Sequence, residues 1–90
     1  MSGTIYQRSK QLMEAALGDE LVALDPEGGH CFAFNAPASA VWRLLEIPRS
    51  RESLRDALLE QFEVEPNECA SDVATLLEDL MVKGLIKAVS

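Results

Sequence analysis

Histidine occurs once in these 90 residues, as His30, and that scarcity removes much enzyme chemistry at the outset. A histidine-based nucleophile pair would need His30 beside Cys31 or a serine, yet neighbours in an extended chain point to opposite faces. Cysteine occurs twice, as Cys31 and Cys69, with no CxxC spacing. Structural zinc takes four ligands, so no metal is expected, and reduced, partly buried thiols are expected rather than a disulfide. The segment "EGGH" has neither the spacing nor the following lysine of a phosphate loop. No apolar run approaches the roughly 18 residues of a membrane span, and "MSGTIYQRSK" lacks the apolar core of a signal peptide. The expectation is a cytoplasmic chain with no cofactor and no membrane partner. Basic residues are also few, 8 Lys and Arg against 15 Asp and Glu, giving a formal charge of −7. Nucleic-acid affinity rests on cations that neutralise phosphates, so a polyanionic partner is disfavoured. An acidic surface serves solubility and steers cationic partners.

What is present suits one globular domain: 48% hydrophobic and 26% charged residues in a chain of this length. The expected domain spans 1–90, with its core at about 12–86. "LMEAAL" (12–17) and "ELVALD" (20–25) read as short strands on either side of Gly18-Asp19. Leu and Ala are weak strand formers, so the first segment has a helical alternative; the turn signals "LGDE" and "DPEGG" favour a meander. "HCFAF" (30–34) alternates as a third strand, after which the apolar spacing turns helical through Ala38, Val41, Trp42 and Leu45. Asn35 suits an N-cap and Pro37 the first turn, and Pro48 should stop that helix near Ile47. A second helix, "SRESLRDALLEQFE", has Ser50 as cap and Leu54, Ala57, Leu58 and Phe62 as its stripe. A third begins around Pro66, buries Cys69, Val73, Leu76, Leu77, Leu80 and Met81, and ends at Gly84, with Leu85 or Ile86 folding back. The order is β-β-β-α-α-α, an α+β fold of winged helix-turn-helix type in which a three-stranded antiparallel sheet precedes three helices.

No group of residues points to catalysis. Glu14, Glu20, Glu27, Glu52, Glu60 and Glu68 fall where solvated faces or turns are expected, and the chain reads as a non-enzyme. A winged helix usually reads DNA, but the third helix carries Glu68, Asp72, Glu78 and Asp79 against Lys83 alone, and phosphates would repel it. Arg43, Arg49, Arg51 and Arg55 gather at the junction of the first two helices. Exposed ion pairs with Glu46, Glu52 and Asp56 are the favoured account of them, with a phosphate backbone or acidic protein as the alternative.

"ELVALDPEGGHCFAFNAPASAVWRLLE" followed by "SLRDALLEQFEVEPNECASDVATLLEDLMVKGLI" resembles the PqqD-like family. The resemblance is carried by the aromatic strand ending at Asn35, the small-residue turn leading to Trp42, Asp72-Val73 with its leucine-rich helix, and Gly84-Leu85. It implies a recognition element for ribosomally made, post-translationally modified peptides. Such a protein holds the leader of a precursor peptide as an added strand and presents it to a processing enzyme, a leader peptidase or another tailoring enzyme. The implied contacts are His30, Cys31, Phe32, Ala33 and Phe34 on the strand, and Asp72, Leu76, Asp79, Leu80 and Lys83 on one flank of the third helix. The opposite flank, with Ala70, Ala74, Glu78 and Met81, is the alternative wall. His30 and Cys31 depart from the basic and aromatic residues common there, and "NAPASAVWRLLE" is nearer the general PqqD-like group than the quinone-pathway proteins, which favours a lasso-peptide or similar pathway over quinone biosynthesis. Two rivals remain: a small winged-helix regulator of DNA, and an adaptor that self-associates through an apolar patch.

Overall fold

The computed structural model describes residues 3–89. Strands β1 (Ile5–Arg8), β2 (Met13–Leu17), β3 (Glu20–Leu24) and β4 (Cys31–Phe34) come first. Helices α1 (Ala36–Leu44), α2 (Arg51–Gln61) and α3 (Pro66–Val82) follow, and β5 (Ile86–Val89) ends the order. The expected α+β core, a three-stranded antiparallel sheet and then three helices, is present as β2-β3-β4 and α1–α3.

The cause of each boundary is local. Gly18 adopts a positive φ of 64°, which lets the two-residue turn bring Leu17 opposite Glu20. Asn35 caps α1 by accepting from the Ala38 amide at 3.0 Å, and Ser50 caps α2 by accepting from Ser53 at 3.1 Å. The α-helical part of α1 ends at Leu44, and the chain then tightens, with Glu46 and Ile47 amides donating three residues back, before reaching Pro48. At the end of α3, Gly84 has φ 74°. Its amide donates to Met81, and Leu85 donates to the Leu80 carbonyl, a Schellman closure that buries Leu85 completely.

Two elements were not foreseen. β1 and β5 pair antiparallel, Ile5 opposite Val89 and Arg8 opposite Ile86, as a second sheet. Each has four residues, and their partnership joins the two ends of the described chain, so neither local pattern nor turn chemistry signals it. Tyr6 also bridges to Arg49, exchanging backbone hydrogen bonds of 2.8 and 3.0 Å. Arg49 is consequently half-buried and donates to the Leu44 carbonyl and the Ser53 hydroxyl instead of forming a surface ion pair. Among the four arginines of that cluster, Arg55 alone forms the expected kind of pair, with Asp56.

The core lies between the sheet and the helices. Leu21, Ala23 and Phe34 face Trp42, Leu45, Leu54, Val73, Leu77 and Leu85, all nearly inaccessible. Glu14 is exposed, as expected, but it shares the inner face with its cross-strand neighbour Ala23. Its carboxylate accepts the Trp42 indole N–H at 2.8 Å. Arg8 lies 4.2 Å from the indole centroid, donates to the Trp42 carbonyl, and stands 3.8 Å from Glu14. The cluster ties the terminal sheet to the main one through α1.

A second polar lock closes the β3–β4 hairpin. Asp25 is 1% exposed; its carboxylate accepts from Lys10 Nζ at 2.9 Å and from the Glu27 amide at 3.0 Å. The Lys10 hydrogen bond, then the Gly28 and Glu27 amides, hold its pKa below the ordinary value against the opposing effect of burial. Its folded pKa therefore lies below the unfolded one. The stability it contributes is complete above about pH 4, the unfolded carboxylate value, and is lost as pH falls through the folded pKa. Urea titrations should show stability declining from about pH 4 downward, and Asp25→Asn should make that decline shallower while lowering stability at neutral pH.

Candidate functional site

Strand β4 is an edge of its sheet, and the register decides which of its backbone groups are free. The Leu17–Glu20 pair closes the β2–β3 turn, so Glu20 bonds toward β2 and Leu21, by alternation, toward β4. Leu21, Ala23 and Asp25 then face Phe34, Phe32 and His30. The 2.8 Å hydrogen bond from the Asp25 amide to the His30 carbonyl has that same phase. Cys31 and Ala33 therefore direct their N–H and C=O groups away from β3, toward the open edge. Their side chains stand on the opposite face from Phe32 and Phe34, and both are exposed.

Beside this edge lies a groove of about 180 Å³. Phe32, Ala33 and Phe34 form one wall, Asn35 and Ala38 the floor at the start of α1, and Leu76, Asp79, Leu80 and Lys83 of α3 the other wall. Seven of the ten residues singled out in the sequence thus line one groove. Asp72 instead lines a neighbouring hollow of about 240 Å³ with Leu58, Phe62, Val64 and Leu76, and Leu76 is the wall the two share. His30 and Cys31 lie outside both: the His30 ring packs 6.3 Å from that of Phe32, and the Cys31 side chain is on the outer face. None of Ala70, Ala74, Glu78 and Met81 of the alternative flank lines this groove, and Ala70 lines a separate hollow with Arg51, Glu52 and Arg55.

Sequence reasoning missed the second hollow. Phe62 reads as part of the second helix's apolar stripe; its convergence with Val64 and Leu76 depends on how the α2–α3 turn folds. The polar rim is mostly acidic. Asp79 is paired with Lys83 one turn on, whereas Asp72 and Glu63 have no ion-pair partner among the described residues. Cys69, buried beneath this hollow, has its thiol pKa pushed up by burial and by Asp72, which keeps it protonated and unreactive. Among the described residues no three His, Cys, Asp or Glu side chains converge as metal ligands, and no helix is long and apolar enough to cross a membrane.

The phase of the edge is directly measurable. Amide hydrogen exchange should find Cys31 and Ala33 close to unprotected, and Phe32 and Phe34 slower by at least about tenfold. The reverse order would mean that the ladder is shifted by one residue.

A family model described as coenzyme PQQ synthesis protein D (PqqD) matches residues 20–86. No curated protein matches the chain. The solved structure of TbiB1 in complex with the TbiA(beta) leader peptide superposes with a TM-score of 0.79 at 27% identity, over 93% of this chain and 98% of that one. A lasso peptide synthetase B1 complexed with the leader peptide gives 0.72 at 24% identity, over 94% and 98%, and shows a shared fold.

Proposed function

The chain belongs to the PqqD family, and on that premise we propose that it captures the leader of a ribosomally made precursor peptide and presents it to a processing enzyme. The carrying observation is the open edge of β4 beside the α3 groove, in a chain that superposes along nearly its whole length on a leader-bound protein. The leader adds as a fourth strand. Cys31 and Ala33 offer it two N–H and two C=O groups, each net hydrogen bond contributing about 0.5–1.5 kcal/mol. Every strand accepts such bonds, so recognition of one leader falls to the side chains it places against Phe32, Phe34, Leu76 and Leu80.

Residues 1–90 act as one recognition domain in this reading, of winged helix-turn-helix type, with α2 and α3 as the helix pair and the β3–β4 hairpin as the wing. The domain is cytoplasmic and performs no catalysis itself. Asp72 and Asp79 favour a leader with cationic residues beside its apolar ones, and Lys83 tempers the charge at one end. The likeness to TbiB1, which was solved with a leader peptide bound, supports a leader as the guest. A DNA target is disfavoured because Asp72, Glu78 and Asp79 are exposed along α3 and would meet phosphates.

An amide NMR titration of labelled protein with its leader, against a scrambled leader and a DNA duplex, tests the reading. Shifts should concentrate on Cys31 to Phe34 and on Leu76 to Lys83; shifts with the duplex near Arg43 to Arg55 alone would overturn it. Ala33→Pro removes a donor that faces the open edge, so the circular dichroism should stay native while leader affinity falls roughly tenfold or more. Leu76→Asp places a carboxylate in the wall shared by the two hollows and should weaken the leader comparably, whatever the backbone contributes.

A further inference from the structure

The hollow of about 240 Å³ behind Leu76 adjoins the groove and is lined differently from it. Its wall is hydrocarbon. Leu58 and Cys69 are buried, Phe62, Val64 and Leu76 are half-buried around them, and Pro37 of α1 is exposed at the edge. Its rim is two exposed carboxylates, Asp72 and Glu63, neither of them ion-paired among the described residues. The field of Asp72 reaches inside: the Cys69 thiol is pushed up by burial first and by Asp72 second.

Both walls of the groove lead here. On the sheet side the lining runs from Phe32 through Asn35 to Pro37, and on α3 from Lys83 through Leu80 and Leu76 to Asp72. A peptide paired with β4 therefore meets the hollow once it has run beyond Phe34. Eight residues of helix separate Leu80 from Asp72, about 12 Å, which an extended chain covers in about three or four residues. The edge itself sets no register, because the free groups of Cys31 and Ala33 accept a strand slipped by two residues equally well. Such a slip carries every side chain about 7 Å along. A selective hollow beyond the end of the strand holds one register and rejects the others.

The lining decides what fits. An aliphatic or aromatic guest would bury carbon against Phe62 and Val64, but it would also strip water from Asp72 and Glu63 and leave them unpaired. A carboxylate guest would add a third negative charge. Lys and Arg suit both parts, since their methylene stems lie along apolar walls while their charged heads stay at a wet rim. We propose that this hollow is a register-setting subsite for a Lys or Arg side chain of the captured peptide, about three or four residues from the residue that packs on Leu80, and that Asp72 and Glu63 read its charge. This rests on the leader-capture reading and names a feature of the peptide that is selected. The rim acts mainly by discrimination: a half-wet ion pair adds little affinity, whereas an acidic residue in the same place is repelled.

The test uses the intact chain and synthetic copies of the leader of the precursor encoded beside it. Each Lys and Arg of the leader is replaced in turn by norleucine, which keeps a straight apolar stem and drops the charge. One replacement should weaken binding to the native chain by about three- to fivefold, and should cost nothing with the double variant Asp72→Asn, Glu63→Gln. Glutamate at that leader position should cost the native chain at least about twentyfold. In the native complex, nuclear Overhauser contacts should join the methylenes of the same Lys or Arg to Phe62 and Val64, with the leader residue three or four away touching Leu80. A flat norleucine scan overturns the proposal, as does a cost that persists undiminished in the double variant. Contacts to Phe62 and Val64 from an apolar or aromatic leader residue overturn it too, and they decide the matter even if the double variant fails to fold. Failure of the native chain to bind the unmodified leader would sink the capture reading itself, an outcome read before the scan begins.

Discussion

The constraint on which the rest of the molecule depends is that an edge strand leaves every second residue's backbone groups unpaired. In β4 those residues are Cys31 and Ala33. Exposed edges invite indiscriminate pairing with other chains, and proteins commonly blunt them with short strands, charges or a covering element. Here β4 has four residues, and α3 stands along it at a distance that leaves a groove instead of a lid. Only a strand whose side chains suit that groove can lie along the edge. On the proposed reading, protection against wrong partners and recognition of the right one come from the same helix.

For the edge to select anything, the sheet and α3 must keep a fixed separation, and the packing around Trp42 supplies this. The indole is fully buried, stacked at a tilt on Phe34, capped by Arg8 and held at its N–H by Glu14. Phe34 is at once a groove residue and a core residue, so the edge strand is anchored by side chains that alternate with its free backbone groups. The Schellman closure at Gly84 fixes the other wall, since it ends α3 just past Lys83 and turns Leu85 into the core. From there the chain enters β5, whose pairing with β1 delivers Arg8 back to Trp42.

Much of this was legible in the sequence because it is written locally. Asn35 and Pro37, Ser50, Pro66 and Gly84 mark helix ends through their own side chains or backbone freedom, and the change from period two to a helical spacing after Phe34 separates strand from helix. The site was legible to the extent that it follows from spacing: Leu76, Asp79, Leu80 and Lys83 share a flank of any regular helix. What stayed hidden depends on contacts between distant segments. Nothing in "IYQR" or "IKAV" announces a partner at the far end of the chain. Glu14 is solvated as read, but its bond to Trp42 follows only once Ala23 is known to be its cross-strand neighbour. Phe62 and Val64 acquire a role only when the α2–α3 turn sets them against Leu76.

A chain with so few reactive groups serves a chemical pathway through geometry and arithmetic. Four edge hydrogen bonds contribute about 2–6 kcal/mol in all, while association costs on the order of 4–15 kcal/mol in lost freedom and further ordering of the peptide. Backbone pairing alone therefore leaves a leader unbound. In the proposed mode of capture the deficit is met by apolar side chains entering the groove and the hollow behind Leu76, each full burial of a leucine-sized group supplying about 1.5–3 kcal/mol. Two or three such anchors, at alternate or helix-spanning positions of the leader, bring binding into a useful range and make it specific in the same step. The acidic rim adds steering for a cationic peptide and little affinity. In the proposed mode of capture the edge then provides a fixed orientation.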